Sequence, residues 1–422
     1  MHDVATSLFH LFIIFTAAKV GGALLGRLGQ PPVIGELLAG VLIGPFALGL
    51  IGQPSAGLIA TFHGDAAARE ALVMVYEVIA ELGVIVLLFF VGLETPLADI
   101  LAVGPRAAVV GVLGVVIPLT LGIALTTALG WTELVPIFVG VAIVATSVGI
   151  TARVLRDLGA IGRPEARIIL GAAVIDDVLA MIVLAVAAGL GSGGTPNLIG
   201  IGLIAGQAVA FTVFVALVGS GLVSRFHLHL ERLPLPDAPL VLALTLMLGL
   251  AALAAVVGLA AIIGAFLAGM VVAQMREHYA LEHRIQPIFA FLVPFFFVVT
   301  GAKVDWRLFL DPSVIGLALL ITGAAVVSKL LPCGLGAVGL GLRAQAIVGV
   351  GMVPRGEVGL IVATVAQSLH AIPDLIFSVI VVMSVLTTLI VPPVLALLYR
   401  HAGVHAATGA ETALRQADSP AP

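Results

Sequence analysis

Two adjacent carboxylates, Asp176 and Asp177, stand in the middle of "GAAVIDDVLAMIVLAV", a run otherwise made of residues that dissolve in lipid. A carboxylate at the centre of a bilayer costs at least ~2.5–3.5 kcal/mol on insertion scales, so such residues mark ion paths or proton relays. Neighbouring positions on a helix point ~100° apart. The two carboxylates therefore cannot share one partner equally. One can meet a fixed charge while the other faces a water-filled cavity. Lys329, in "AAVVSKLLPCGLGA", supplies a fixed charge too deep in its own apolar run to reach the surface comfortably. Burial favours a neutral amine and a nearby carboxylate favours the ammonium form. A Lys329–Asp176 pair would thus hold a proton, and breaking the pair would release it; the alternative is a purely structural tie. Asp177 is left as the exchangeable site. An oxygen-only site suits hard cations such as Na+ or Li+. Thr146, Ser147 and unwound carbonyls could supply further oxygens. The same carboxylate can hold a proton instead, and competition for one site makes an exchanger.

These residues need a membrane around them, and the composition supplies one. Of 422 residues, 61% are hydrophobic and only 10% charged, with a mean hydropathy of +1.24. Soluble globular proteins carry roughly 25% charged residues. The chain reads as an all-α polytopic membrane protein. Its net charge of -4 says little about partners. Cys333 is the one cysteine, which rules out an intrachain disulfide. The first apolar run has no basic segment before it and no clear cleavage site, so it reads as a spanning helix rather than a signal peptide.

A bilayer core needs roughly 20 apolar residues per helix. Cutting at charged and Gly/Pro-rich breaks predicts thirteen spans, at about 7–28, 32–50, 71–93, 106–130, 134–152, 165–190, 197–224, 238–256, 258–275, 285–301, 312–337, 343–369 and 374–399. On these boundaries Lys19, Lys329 and Arg355 fall inside spans, and Arg153 and Arg156 fall in a loop. Thirteen of the nineteen basic residues lie on one side, and only Arg69, Lys303 and Arg307 lie opposite. The positive-inside rule then puts the N-terminus outside and the C-terminus in the cytoplasm. An odd number of spans is needed for that asymmetry to appear.

Two spans are interrupted. The fifth carries Thr146, Ser147 and Gly149 at its centre; the twelfth carries Gly349, Gly351 and Pro354. Unwound backbone at membrane depth is tolerated only where it lines a cavity or is buried in protein. Each interrupted span is the middle of a triplet, spans 4–6 and spans 11–13. The triplets are seven spans apart, so matching helices enter from opposite sides, as in an inverted repeat with its site near the midplane. Arg355 and Glu357, just past Pro354, either line the site or belong to structural networks. Glu77 and Glu81 share one face of the third span, as half-exposed structural residues or as the lining of an outer funnel. Lys19 is expected to pair with Glu36. The loop histidines show no metal-ligand pattern.

Taken together, "QPPVIGELLAGVLIGP", "LLFFVGLE", "GAAVIDDVLAMIVLAV", the lysine of "SKLLPCGLGA" and "GMVPRGEVGLIVA" resemble bacterial Na+/H+ antiporters of the NapA type, within the Kef-like monovalent cation/proton antiporters. The resemblance implies a homodimer in the bacterial inner membrane and electrogenic exchange. Two crossing discontinuous helices would sit in a core that moves like an elevator. It matches Asp177 to the ion-binding aspartate, Asp176 to the lysine-paired one and Lys329 to the lysine. It divides the chain into residues 1–105, the first dimerisation helices; 106–190, the first core triplet; 191–311, a linker helix and the rest of the dimerisation domain; 312–400, the second core triplet; and 401–422, a disordered cytoplasmic tail. No cofactor beyond the transported ions is expected, and no nucleic acid partner. Kef-type K+ systems usually add a large nucleotide-binding domain after the last span; its absence here favours Na+, with K+/H+ exchange as the alternative. An intramembrane aspartyl protease needs its two carboxylates on different helices around one water. Organic anion symport usually lacks the lysine-paired aspartate.

Overall fold

The computed structural model describes residues 2–51, 66–95, 97–132, 134–191, 237–275 and 279–400, with a few positions between 202 and 215. Every regular element among them is helical: α1 (His2–Arg27), α2 (Pro32–Ile43), α3 (Ala66–Leu93), α4 (Leu97–Ala128), α5 (Val135–Val144), α6 (Val148–Asp157), α7 (Pro164–Gly191), α8 (Ala238–Val256), α9 (Ala261–Val272), α10 (Leu281–Ala302), α11 (Pro312–Gly336), α12 (Leu342–Gly351), α13 (Glu357–Ser368) and α14 (Asp374–Arg400). Among the described residues, nine helical stretches are long and apolar enough to cross a membrane. Most described spans match a sequence expectation within about five residues at both ends, but α2 stops at Ile43 rather than near residue 50, and α4 begins at Leu97 rather than 106, so that Arg106 lies within a helix. The seventh expected span and the tail from residue 401 lie outside the described residues, apart from those few positions.

Local chemistry sets the helix ends. Proline opens α2, α5, α8 and α11, where its missing N–H has no intrahelical acceptor to lose. Asp311 accepts from the Ser313 N–H and caps α11. Gly258, at φ 81°, turns the chain between α8 and α9. The fifth span likewise departs from its expected end: it does not stop at residue 152, because its second half, α6, runs to Asp157. Arg153 and Arg156 therefore sit on a helix, not in a loop.

The helices pack as two groups. In one, α2 packs on α1 and α10, α3 on α9 and α10, and α8 on α9. In the other, α4 packs on α5, α7 and α11, α11 on α12 and α14, and α13 on α5 and α14. The groups meet where α6 touches α2, α3 and α14. Small residues let backbones approach closely between apolar helices. A Cβ at Gly269 on α9 would lie 2.1 Å from the Phe89 carbonyl of α3, and one at Gly301 on α10 equally close to the Leu37 carbonyl of α2. The outward faces of α1 and α11 stay apolar, with Leu8, Phe12, Leu331 and Leu335 all more than half exposed, as a lipid-facing surface requires.

Candidate functional site

The two interrupted spans meet at their breaks. Helix α5 ends at Val144 and α6 begins at Val148, while α12 ends at Gly351 and α13 begins at Glu357. Each break frees backbone donors and acceptors that lipid cannot satisfy. They satisfy one another. The Ser147 N–H donates to the Pro354 carbonyl at 2.8 Å, and the Thr151 hydroxyl donates to the Gly351 carbonyl at 2.7 Å. A Cβ at Gly356 would come within 2.7 Å of Ser147 Oγ, so the crossing admits only glycine there without movement.

Arg355 closes the second break. It is wholly buried, and its guanidinium donates to the carbonyls of Met352, Val353 and Ala325. Its own N–H donates to the Thr387 hydroxyl at 3.2 Å. A positive charge among the carbonyls at the end of α12 opposes the negative pole of that helix. This geometry gives Arg355 a structural task, holding the unwound segment. The Glu357 side chain lies outside the described residues; its backbone starts α13.

The lysine and the aspartates sit beside this crossing. Lys329 Nζ lies 2.6 Å from Asp176 Oδ1 and 2.8 Å from the Thr146 hydroxyl oxygen. Both charged side chains have 0% exposure. The pair joins α7 to α11, and Thr146 adds the first break to the same cluster. Gly114 on α4 makes room for it: a Cβ there would be 3.3 Å from both Asp176 Oδ1 and Lys329 Nζ. Asp176 Oδ2 is buried with no partner among the described residues. Asp177 points elsewhere, as the ~100° helical step requires. It lines a cleft with Val148, Val174, Leu88, Ile263 and Phe266, where α6 and α7 face α3 and α9. Thr146, expected among the cation's oxygens, is here an acceptor for Lys329.

Elsewhere one expected pairing is overturned. Lys19 forms no ion pair with Glu36; it donates to the Ala290 carbonyl at 2.7 Å, over the Phe15 ring. Glu36 instead meets Arg153 at 3.3 Å. Glu77 pairs with Lys303 at 3.1 Å, with both side chains more than half exposed, and Glu81 is exposed beside it. The contacts of Arg153 and Arg156 escape sequence reasoning. The two arginines read only as markers of one membrane side, and no sequence spacing links them to their acidic partners.

Known proteins bear on this arrangement at three levels. The family described as "Sodium/hydrogen exchanger, transmembrane" matches residues 13–400. The "High-affinity Na(+)/H(+) antiporter NhaS3" of Synechocystis is 39% identical over 413 residues, covering 92% of this chain and 89% of its own. The "Na(+)/H(+)-K(+) antiporter GerN" of Bacillus cereus is 34% identical, covering 92% of this chain and 95% of its own. Among solved structures, the sodium proton antiporter MjNhaP1 of Methanocaldococcus jannaschii superposes with a TM-score of 0.62 at 17% identity, covering 93% of this chain and 97% of its own. At that identity the likeness speaks for the fold alone. With a match that runs from within the first helix to the end of the last, the chain belongs to the transmembrane sodium/hydrogen exchanger family.

Proposed function

We propose that this Na+/H+ antiporter, a transporter and not an enzyme, binds Na+ or Li+ at Asp177 in competition with protons. The observation carrying the proposal is the divergence of the two aspartates. Asp176 is sealed against Lys329, while Asp177 borders the cleft between the two helix groups. One carboxylate exchanging one Na+ for one proton moves no net charge. A second proton, carried on Lys329 and released when its tie to Asp176 loosens, makes the cycle electrogenic. Alternating access follows if the helices that carry the breaks shift as a body against α1–α3 and α8–α10, in the manner of an elevator. The N-terminus lies outside, the C-terminus in the cytoplasm of a bacterial inner membrane, and two copies form the working unit.

Purified protein in liposomes with an acidic interior tests this directly. Added Na+ or Li+ should collapse the acid gradient. The variant Asp177→Asn should abolish that response, and normal exchange by this variant would show the site to be misassigned. K+ is the second reading, favoured by the name of the Bacillus relative. It is decided by running Na+, Li+ and K+ side by side in the same liposomes.

A further inference from the structure

The two arginines of α6 are more than markers of a membrane side. Helix α6 is the second half of the first interrupted span, so it continues directly from Thr146 and Ser147. Its far end is bound to the other group of helices at three points. Arg153 Nη2 lies 3.3 Å from Glu36 on α2, while its Nε grips Asp157 at 3.0 Å. Arg156 donates to Gln286 on α10 at 2.6 Å and lies 3.5 Å from Glu94 after α3. Both guanidinium groups also stack near Phe289 of α10, at 5.4 Å and 3.9 Å from the ring centre.

These are not ordinary surface pairs, which contribute little. The Arg153 and Glu36 side chains are 10% and 4% exposed. Charge-assisted bonds shielded from water are substantially stronger than exposed ones, and cation–π contacts add to them. Yet the cluster is incomplete. Glu36 Oε2 and Arg153 Nη1 are buried without a partner among the described residues. Lys19 on α1 stands close enough for its charge to act on both Glu36 and Arg153. If α6 slides along α2 and α10, Arg153 leaves Glu36, and Lys19 is in place to neutralise the carboxylate left behind. A hydrogen bond does not survive stretching much beyond ~3.5 Å, so a shift of a few ångströms releases every contact together.

We infer that Arg153 and Arg156, with Glu36, Glu94 and Gln286, form a latch specific to one end state of the transport cycle, and that it sets the balance between the inward-facing and outward-facing forms. The inference rests on the antiport reading above. In a two-state carrier, weakening a contact present in one state depopulates that state. The apparent affinity for the cation then falls at the face open in that state and rises at the opposite face. A contact that merely supports the fold has no such signature.

The test uses the full chain in right-side-out and inverted membrane vesicles, with the half-saturating Na+ concentration measured at each face. For the paired variant Glu36→Gln/Arg153→Gln the two values should move in opposite directions by several-fold, and the exchanged pair Glu36→Arg/Arg153→Glu should bring both back toward their original values. Equal changes at both faces, or none, would overturn the latch. Should the paired variant not accumulate, Arg156→Gln, which cuts only partly exposed contacts, should shift the values in the same opposed sense and to a smaller extent; a same-direction change there overturns the inference as well. Absence of Na+-driven exchange in the unmodified protein would sink the antiport reading itself, whereas normal exchange with unmoved half-saturation values sinks only the latch.

Discussion

Lys329 makes two hydrogen bonds in a space closed to the outside, with its side chain 0% exposed. Its amine is held by one carboxyl oxygen of Asp176 and the hydroxyl of Thr146, at 2.6 Å and 2.8 Å. Removing one member of a buried ion pair strands the other charge and costs about 3–5 kcal/mol, whereas replacing both with neutral groups of similar size is far milder. The variant Lys329→Gln is therefore expected to be much less stable to heating in detergent than Asp176→Asn/Lys329→Gln, despite carrying fewer substitutions. Equal losses in the two would mean that the pair is not coupled. The same geometry makes Gly114 a gauge of the pair. A Cβ there is already at 3.3 Å from both charged atoms, and a branched side chain would have to displace one of them. Gly114→Val should cut the exchange rate at least tenfold at unchanged protein level, with Gly114→Ala intermediate; a normal rate in the valine variant would show the cluster to be slack.

At the scale of helices, function depends on which backbones may touch. Helices α3 and α9 approach through Gly92 and Gly269, so closely that a Cβ at Gly269 would overlap the Phe89 carbonyl. Backbone cannot yield as a side-chain tip can. Gly269→Leu should therefore destabilise the protein by on the order of 1–3 kcal/mol, read as a lower unfolding temperature in detergent. Ile263 and Phe266 of the same helix border the Asp177 cleft, so the Na+ half-saturation should rise as well. An unchanged half-saturation at a lowered unfolding temperature would show that α9 supports the fold without bearing on the site. The contrast between these helices and α6 explains what the sequence alone discloses. Spans are legible because lipid demands about twenty apolar residues and punishes every interruption; Pro354 and Gly349 announce a break by residue type alone. The Lys329–Asp176 pairing is legible because each charge is intolerable alone at that depth. The α6 contacts are not legible, because Arg153 reaches a carboxylate 117 residues away in the chain and an arginine near a membrane edge satisfies the charge rule with or without a partner. The mistaken Lys19–Glu36 pairing has the same origin: depth alone does not say which of two cations wins a carboxylate.

For the molecule as a whole, the decisive quantity is net charge per cycle. If two protons, one on Asp177 and one on Lys329, move against one Na+, every turnover carries one positive charge in the proton direction. A charge crossing the membrane is worth about 2.3 kcal/mol per 100 mV, and each ~1.4 kcal/mol is a tenfold ratio. Liposomes held near 100 mV inside-negative by a K+ gradient, with no pH difference, should then expel Na+ until its gradient reaches on the order of fifty-fold. The direction follows from the charge balance: two protons enter as one Na+ leaves, so one positive charge moves toward the negative interior. In Lys329→Gln the second proton carrier is gone. The remaining one-for-one exchange at Asp177 should respond to a pH gradient but build no Na+ gradient from voltage alone. Voltage-driven Na+ expulsion that persists at full size in Lys329→Gln would move the second proton to another group, with Asp176, freed of its lysine, as the first to examine.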